Sequence, residues 1–112
     1  MIRIPALLAV VFLAGCSTTS ISEIRTREVQ DTAVVQGQTI QQVRDCLVEA
    51  LGLLRDPIET GPPERRELTF STPEAGAIFF YVLQPAEGGV KVEARRKNAI
   101  ANGFNKGRRC YQ

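Results

Sequence analysis

The chain has 112 residues, 44% of them apolar and 23% charged, a balance that fits one globular domain and excludes a disordered polymer. Its formal net charge of +2 is too small to argue for a nucleic-acid partner. It has no histidine, which excludes histidine-based triads, imidazole-ligated metals and the usual near-neutral proton switch.

Arg3 and the terminal amine precede an uncharged run from Ile4 to Ala14, and polar Cys16-Ser17-Thr18-Thr19-Ser20 follows. This is the layout of a secretory signal. The run falls short of the about 20 apolar residues a membrane span needs. Leu13-Ala14-Gly15-Cys16 at its end resembles the lipobox of bacterial lipoproteins. The resemblance implies a signal peptide over 1–15, cleavage between Gly15 and Cys16, a diacylglyceryl group on the Cys16 thiol and an acyl chain such as palmitate on the new amine. Two or three acyl chains hold a protein on a membrane stably where one is marginal. Ser17 is not the aspartate linked to inner-membrane retention in Gram-negative lipoproteins, so the resemblance implies the outer membrane, with the domain facing the periplasm.

Residues 16–24 then read as the lipidated cysteine and a short polar tether, and 25–112 as a single small domain. Residues 25–36 fit either an edge strand ending in Ala33-Val34-Val35 or a first helix with Ile21, Ile24 and Val29 inward. The clearest element is a helix over about 40–51. Thr39 and Gln42 have capping-box spacing, and Ile40, Val43, Leu47, Ala50 and Leu51 form one stripe at helical period. Gly52 suits a left-handed position past its end, with Leu53 packing back on Val48.

The proline-rich segment 55–66 reads as a loop. Three strands follow, over 67–71, 77–83 and 90–95, separated by turns at 72–76 and 84–89. Phe79-Phe80-Tyr81 reads as core on both faces of the central strand. The tail after Arg96 reads as loop with a short helical turn. The expected fold is α+β: one main helix on a three- or four-stranded antiparallel meander. Leu68, Phe70, Phe80, Val82, Val90 and Val92 are expected to meet Val43, Leu47 and Leu51.

With Cys16 lipidated, two cysteines remain, Cys46 and Cys110. Export to an oxidising compartment makes a disulfide between them the expected state. They lack the C-x-x-C spacing of redox pairs, and two thiols without histidine are too few to hold zinc, so no metal is expected.

Residues 17–64 hold eight acids and four bases, whereas Arg95, Arg96, Lys97, Lys106, Arg108 and Arg109 sit in a tail without an acid. These six are the candidate contacts for an anionic partner, against a solvated tail that balances the acidic half. Asp45, Glu49, Asp56 and Glu59 are the carboxylates from which a glycosidase-like pair would have to come. Asp45 and Glu49, one helical turn apart, read more simply as a solvated face. Neither an enzyme nor a cofactor is expected.

The expected function is that of a non-enzymatic binding or scaffolding module, anchored by acyl chains and docking on an envelope protein or cell-wall component. Gly37-Gln38-Thr39-Ile40-Gln41-Gln42-Val43 resembles the helix start of SmpA/OmlA-type outer-membrane-assembly lipoproteins. That resemblance implies, as an alternative, an accessory subunit of the β-barrel assembly machinery. A phage or conjugation envelope lipoprotein is the other alternative.

Overall fold

The computed structural model describes residues 18–52, 54–98 and 103–112. The elements in chain order are α1 (Ile21–Arg25), β1 (Asp31–Gln36), α2 (Ile40–Ala50), β2 (Ile58–Thr60), β3 (Arg66–Thr72), β4 (Gly76–Ala86), β5 (Gly89–Arg96) and α3 (Phe104–Arg108). The fold is α+β, as its alternation of patterns suggests. The five strands among the described residues form one antiparallel sheet in the order β1-β5-β4-β3-β2.

The expected meander is therefore the middle of a wider sheet, and among the described residues two shorter helices, α1 and α3, accompany the main helix expected. Of the two readings of 25–36, the strand holds for residues 31–36, which pair along β5, while a short helix with Ile24 inward forms just before them at Ile21–Arg25. β2 lies inside the segment read as loop. It has only three residues and is flanked by Pro57, Pro62 and Pro63, so it carries almost no periodicity to read. β4 runs on through Pro85, where a turn was expected. Arg66 pairs with Leu83 at the start of β3, so Pro85 lies where β4 has β5 alone as neighbour. A strand tolerates a missing N–H there.

α2 forms where the stripe placed it. The Thr39 side chain accepts from the Gln42 N–H at 3.1 Å, and the Gln42 side chain accepts from the Thr39 N–H at 2.9 Å. Its C-terminus differs from expectation: Gly52 is not in the left-handed region. The helix closes instead by tightened bonds from Gly52 N–H to Glu49 O (3.2 Å) and from Leu54 N–H to Leu51 O (2.9 Å). The packing expected of Leu53 lies outside the described residues.

α2 and α3 cover one sheet face. Val43, Leu47, Ala50, Leu51, Phe104, Cys110 and Tyr111 bury Leu68, Phe70, Phe79, Tyr81, Leu83, Val90, Val92 and Ala94. Phe80 and Val82 were expected here and are not. They point to the opposite face, where Ile24 of α1 packs on them with Ala77. The register decides this. Phe70 pairs with Phe79 and Leu68 with Tyr81, so the odd residues of β4 share the helix-facing side of β3. The ladder then skips Ile78, pairing Ser71 with Ala77, and that bulge returns Ala77 to the α1 side. Phe79, Phe80 and Tyr81 are all buried, one face taking two rings and the other one.

Cys46 of α2 and Cys110, just after α3, are disulfide-bonded, with Cα atoms 5.7 Å apart. The bond closes a loop over a sequence separation of 64. A loop of that order contributes about 4 kcal/mol in the chain-entropy account.

Candidate functional surfaces

Two of the four candidate carboxylates, Glu59 and Asp45, are engaged with arginines. Glu59 on β2 accepts from Arg44 Nη2 at 2.6 Å and Nε at 3.2 Å, and from Arg66 Nη2 at 3.3 Å. The hydrogen bond from Arg44 outweighs partial burial and holds this carboxyl below its usual range. Asp45 accepts from Gln41 and Arg44. Ile40, Gln41, Arg44, Glu59, Pro63 and Arg66 line an open recess of about 350 Å³, with one ionised acid between two guanidinium groups. Among the described residues no three potential ligands cluster to hold a metal ion.

The six tail bases do not form one patch. Arg108 is drawn inward: its Nε and Nη2 lie 2.8 and 3.2 Å from the two Asp31 carboxylate oxygens. Tyr111 donates its hydroxyl to the same carboxylate at 2.6 Å. Burial opposes ionisation of Asp31, but the bonds from Arg108 and Tyr111 prevail and lower its pKa. Burial and the adjacent carboxylate push the Tyr111 phenol upward, so it stays a donor. Together with the disulfide, this contact fastens the C-terminal segment across β1 and α2.

Arg95 and Arg96 are neighbours in sequence but lie on opposite faces of the sheet. Arg96 sits over the Phe104 ring at 4.9 Å. Arg95 and Arg25 flank Phe80 on the other face at 5.9 and 5.7 Å, and Arg95 Nε donates to Arg27 O at 2.9 Å. Lys97 Nζ donates to Ala75 O at 3.1 Å. Lys106 and Arg109 are exposed. Arg96 and Lys97 meet a base from outside the tail, Arg27, around a recess of about 260 Å³ that Glu28, Gln30 and Asn98 also line.

That recess adjoins the point where the chain enters the fold. Thr19 lies in the segment expected to be a free tether, yet it is 5% exposed. Its N–H donates to Ala75 O at 2.9 Å, and its carbonyl accepts from Ala77 N–H at 2.7 Å. Gly76 between them has φ +71°, and a Cβ there would stand 2.3 Å from Thr19 O, so only glycine allows this approach. Ser20 then caps α1, accepting from the Glu23 N–H at 3.2 Å, and Ile24 is wholly buried. Lipidation of Cys16 concerns a residue outside the described ones.

The other conspicuous surface is the edge formed by β1. Gly37 N–H donates to Gly88 O at 2.8 Å, which sets the phase of the β1–β5 ladder. Alternation then turns the backbone groups of Thr32, Val34 and Gln36 outward. Among the described residues β1 pairs with β5 alone. It has no proline, no lysine and no bulge, the usual devices that blunt an edge, and Val34 is 50% exposed. The opposite edge, β2, is short and bracketed by prolines.

Two of these features had no signal in the sequence. Asp31 meets Arg108 and Tyr111 across 77 and 80 positions, and Thr19 meets Ala75 and Ala77 across 56 and 58. No local pattern encodes such pairings. No helix among the described residues is long and apolar enough to cross a membrane. Comparison with known proteins adds no relative: no family model, no curated protein and no solved structure matches the chain.

Proposed function

We propose that this protein is a lipid-anchored envelope lipoprotein, held in the outer membrane by acyl chains on Cys16 and facing the periplasm, that works as a non-enzymatic binding module. Leu13-Ala14-Gly15-Cys16 carries the anchoring, and the Cys46–Cys110 disulfide agrees with an exported domain. The observation that carries the binding role is the open β1 edge. Its outward N–H and C=O groups are suited to an extended segment of an envelope protein, added as a sixth strand. Main-chain hydrogen bonds supply the affinity in that mode. The exposed side chains of Thr32, Val34 and Gln36 select what lies beside them.

The test has two arms. Wild-type protein should incorporate radiolabelled palmitate, and Cys16→Ser should abolish the label and leave an unprocessed precursor. A photo-crosslinking residue at Val34 should give one discrete adduct in intact envelopes, while the same residue at Gln84, on β4 and separated from that edge by β5, should give none. Palmitate retained by Cys16→Ser refutes the anchor. Indistinguishable crosslinking at the two positions refutes the edge.

A further inference from the structure

Three residue steps separate Cys16 from Thr19, and Thr19 is already fastened to Ala75 and Ala77 by backbone hydrogen bonds. Three steps of extended chain reach at most about 11 Å. A tether running through residue 24 would have reached more than twice as far. If Cys16 sits at the bilayer surface, the Thr19–Gly76 end of the domain has no room to leave it.

That end is basic. Lys97 shares the Ala75 carbonyl with Thr19, Arg95 is bonded to the Arg27 carbonyl, and Arg27, Arg96 and Lys97 surround the recess described above. Glu23 of α1, Glu28 in the recess and Glu74 in the β3–β4 turn are the acids on the same segments, and Arg25 is paired with Glu67 at 2.6 Å, which leaves the four bases Arg27, Arg95, Arg96 and Lys97 against those three acids. A leash of at most about 11 Å is comparable with the Debye length of roughly 8 Å, so these bases reach headgroup charge whenever the leash is not fully extended away from the surface. Basic residues so placed are attracted to an anionic leaflet.

We propose that the domain lies directly on the membrane, with its Thr19–Gly76 end against anionic lipid headgroups contacted by Arg27, Arg96 and Lys97. This rests on the acylation of Cys16 proposed above and adds an orientation to it. β4 and β5 have their Gly76 and Arg96 ends at the membrane, and their connecting hairpin points away. β1 pairs along β5, so its open edge runs outward from the bilayer and stays accessible.

The test uses the lipidated protein purified from envelopes and placed in phosphatidylethanolamine vesicles that also contain either phosphatidylglycerol or phosphatidylcholine. Amide hydrogen exchange is followed by mass spectrometry. Segments 26–30, 73–78 and 95–98 should exchange several-fold more slowly with phosphatidylglycerol, and the hairpin at 84–90 should exchange alike in both. Arg27→Glu should shrink the difference, and a flexible glycine-serine insert between Ser17 and Thr18 should abolish it. Equal exchange in the two vesicles, or slowing of the hairpin as well, overturns the orientation. The mass of the N-terminal peptide separates the two readings. Absence of acyl chains removes the anchor and with it this inference, whereas acylated protein without end-specific slowing defeats the inference alone.

Discussion

Replacing Gly107 by alanine reports how tightly α3 is seated on the sheet. In an ordinary helix interior the change gains about 1 kcal/mol. Here a Cβ would stand 2.8 Å from Tyr81 Oη and 3.3 Å from Leu47 Cδ2. Both neighbours are fully buried. Tyr81 is held between Phe70, Phe104 and Tyr111, with ring centroids 5.8, 6.4 and 6.4 Å away, so its hydroxyl retreats only if the ring moves. Overpacking of this kind costs about 1–3 kcal/mol. Subtracting the helix gain leaves a net loss of about 1 kcal/mol, or about 4–8 °C in a domain of this size. Tyr81→Phe removes the colliding oxygen. That oxygen has no hydrogen-bond partner among the described residues, so its loss should cost little. In the Tyr81→Phe background Gly107→Ala should therefore be neutral or stabilising, a coupling of at least about 1 kcal/mol. Thermal melts of the four proteins, followed by circular dichroism with the disulfide intact, measure it. A rise in melting temperature for Gly107→Ala alone, or the same shift in both backgrounds, would show that α3 does not press on Tyr81.

Leu47→Ala removes three buried carbons, about 2.4 kcal/mol of transfer free energy, and leaves a cavity walled by the sheet and α3, so the total loss should be about 2–5 kcal/mol. Gln41→Ala loses only an exposed bond to Asp45 and should change stability by less than about 0.5 kcal/mol; equal losses in denaturant melts would sink the assigned core. Asp31, Glu59 and Glu67 all have lowered folded pKa values, so their stabilisation is present above the unfolded carboxylate value of about 4 and is lost as pH falls through the folded values. The melting temperature should drop steeply below about pH 4, and Asp31→Asn should flatten part of that drop; an unchanged slope in the variant would refute the contribution of the Arg108–Asp31–Tyr111 contact.

Sequence alone determined what depends on local spacing. The α2 stripe and its Thr39–Gln42 capping box lie within one or two helical turns, so their geometry follows from residue order. The same holds for the existence and order of the three central strands, although β4 extends through Ala86 into the segment expected as a turn. The Cys46–Cys110 pairing was legible by elimination, because two thiols remain once Cys16 is set aside.

Tertiary structure decided the rest, each time through a contact between distant residues. Which of Phe79, Phe80 and Tyr81 faces α2 depends on register against β3, and a single skipped residue at Ile78 reverses the face of Ala77. Ser20 to Ile24 reads as polar and flexible, yet one isoleucine completes the second small core once Phe80 and Val82 are turned toward it. A short polar string with two apolar residues, Ile21 and Ile24, gains its helix from the burial of Ile24 and has little intrinsic drive to form it. The tail bases formed a run along the chain, but β5 sends Arg95 and Arg96 to opposite faces and α3 carries Arg108 to Asp31. Charge counted along a sequence becomes a surface only after the backbone has chosen a side for each residue. That choice rests on pairings of high sequence separation, which composition and periodicity do not record.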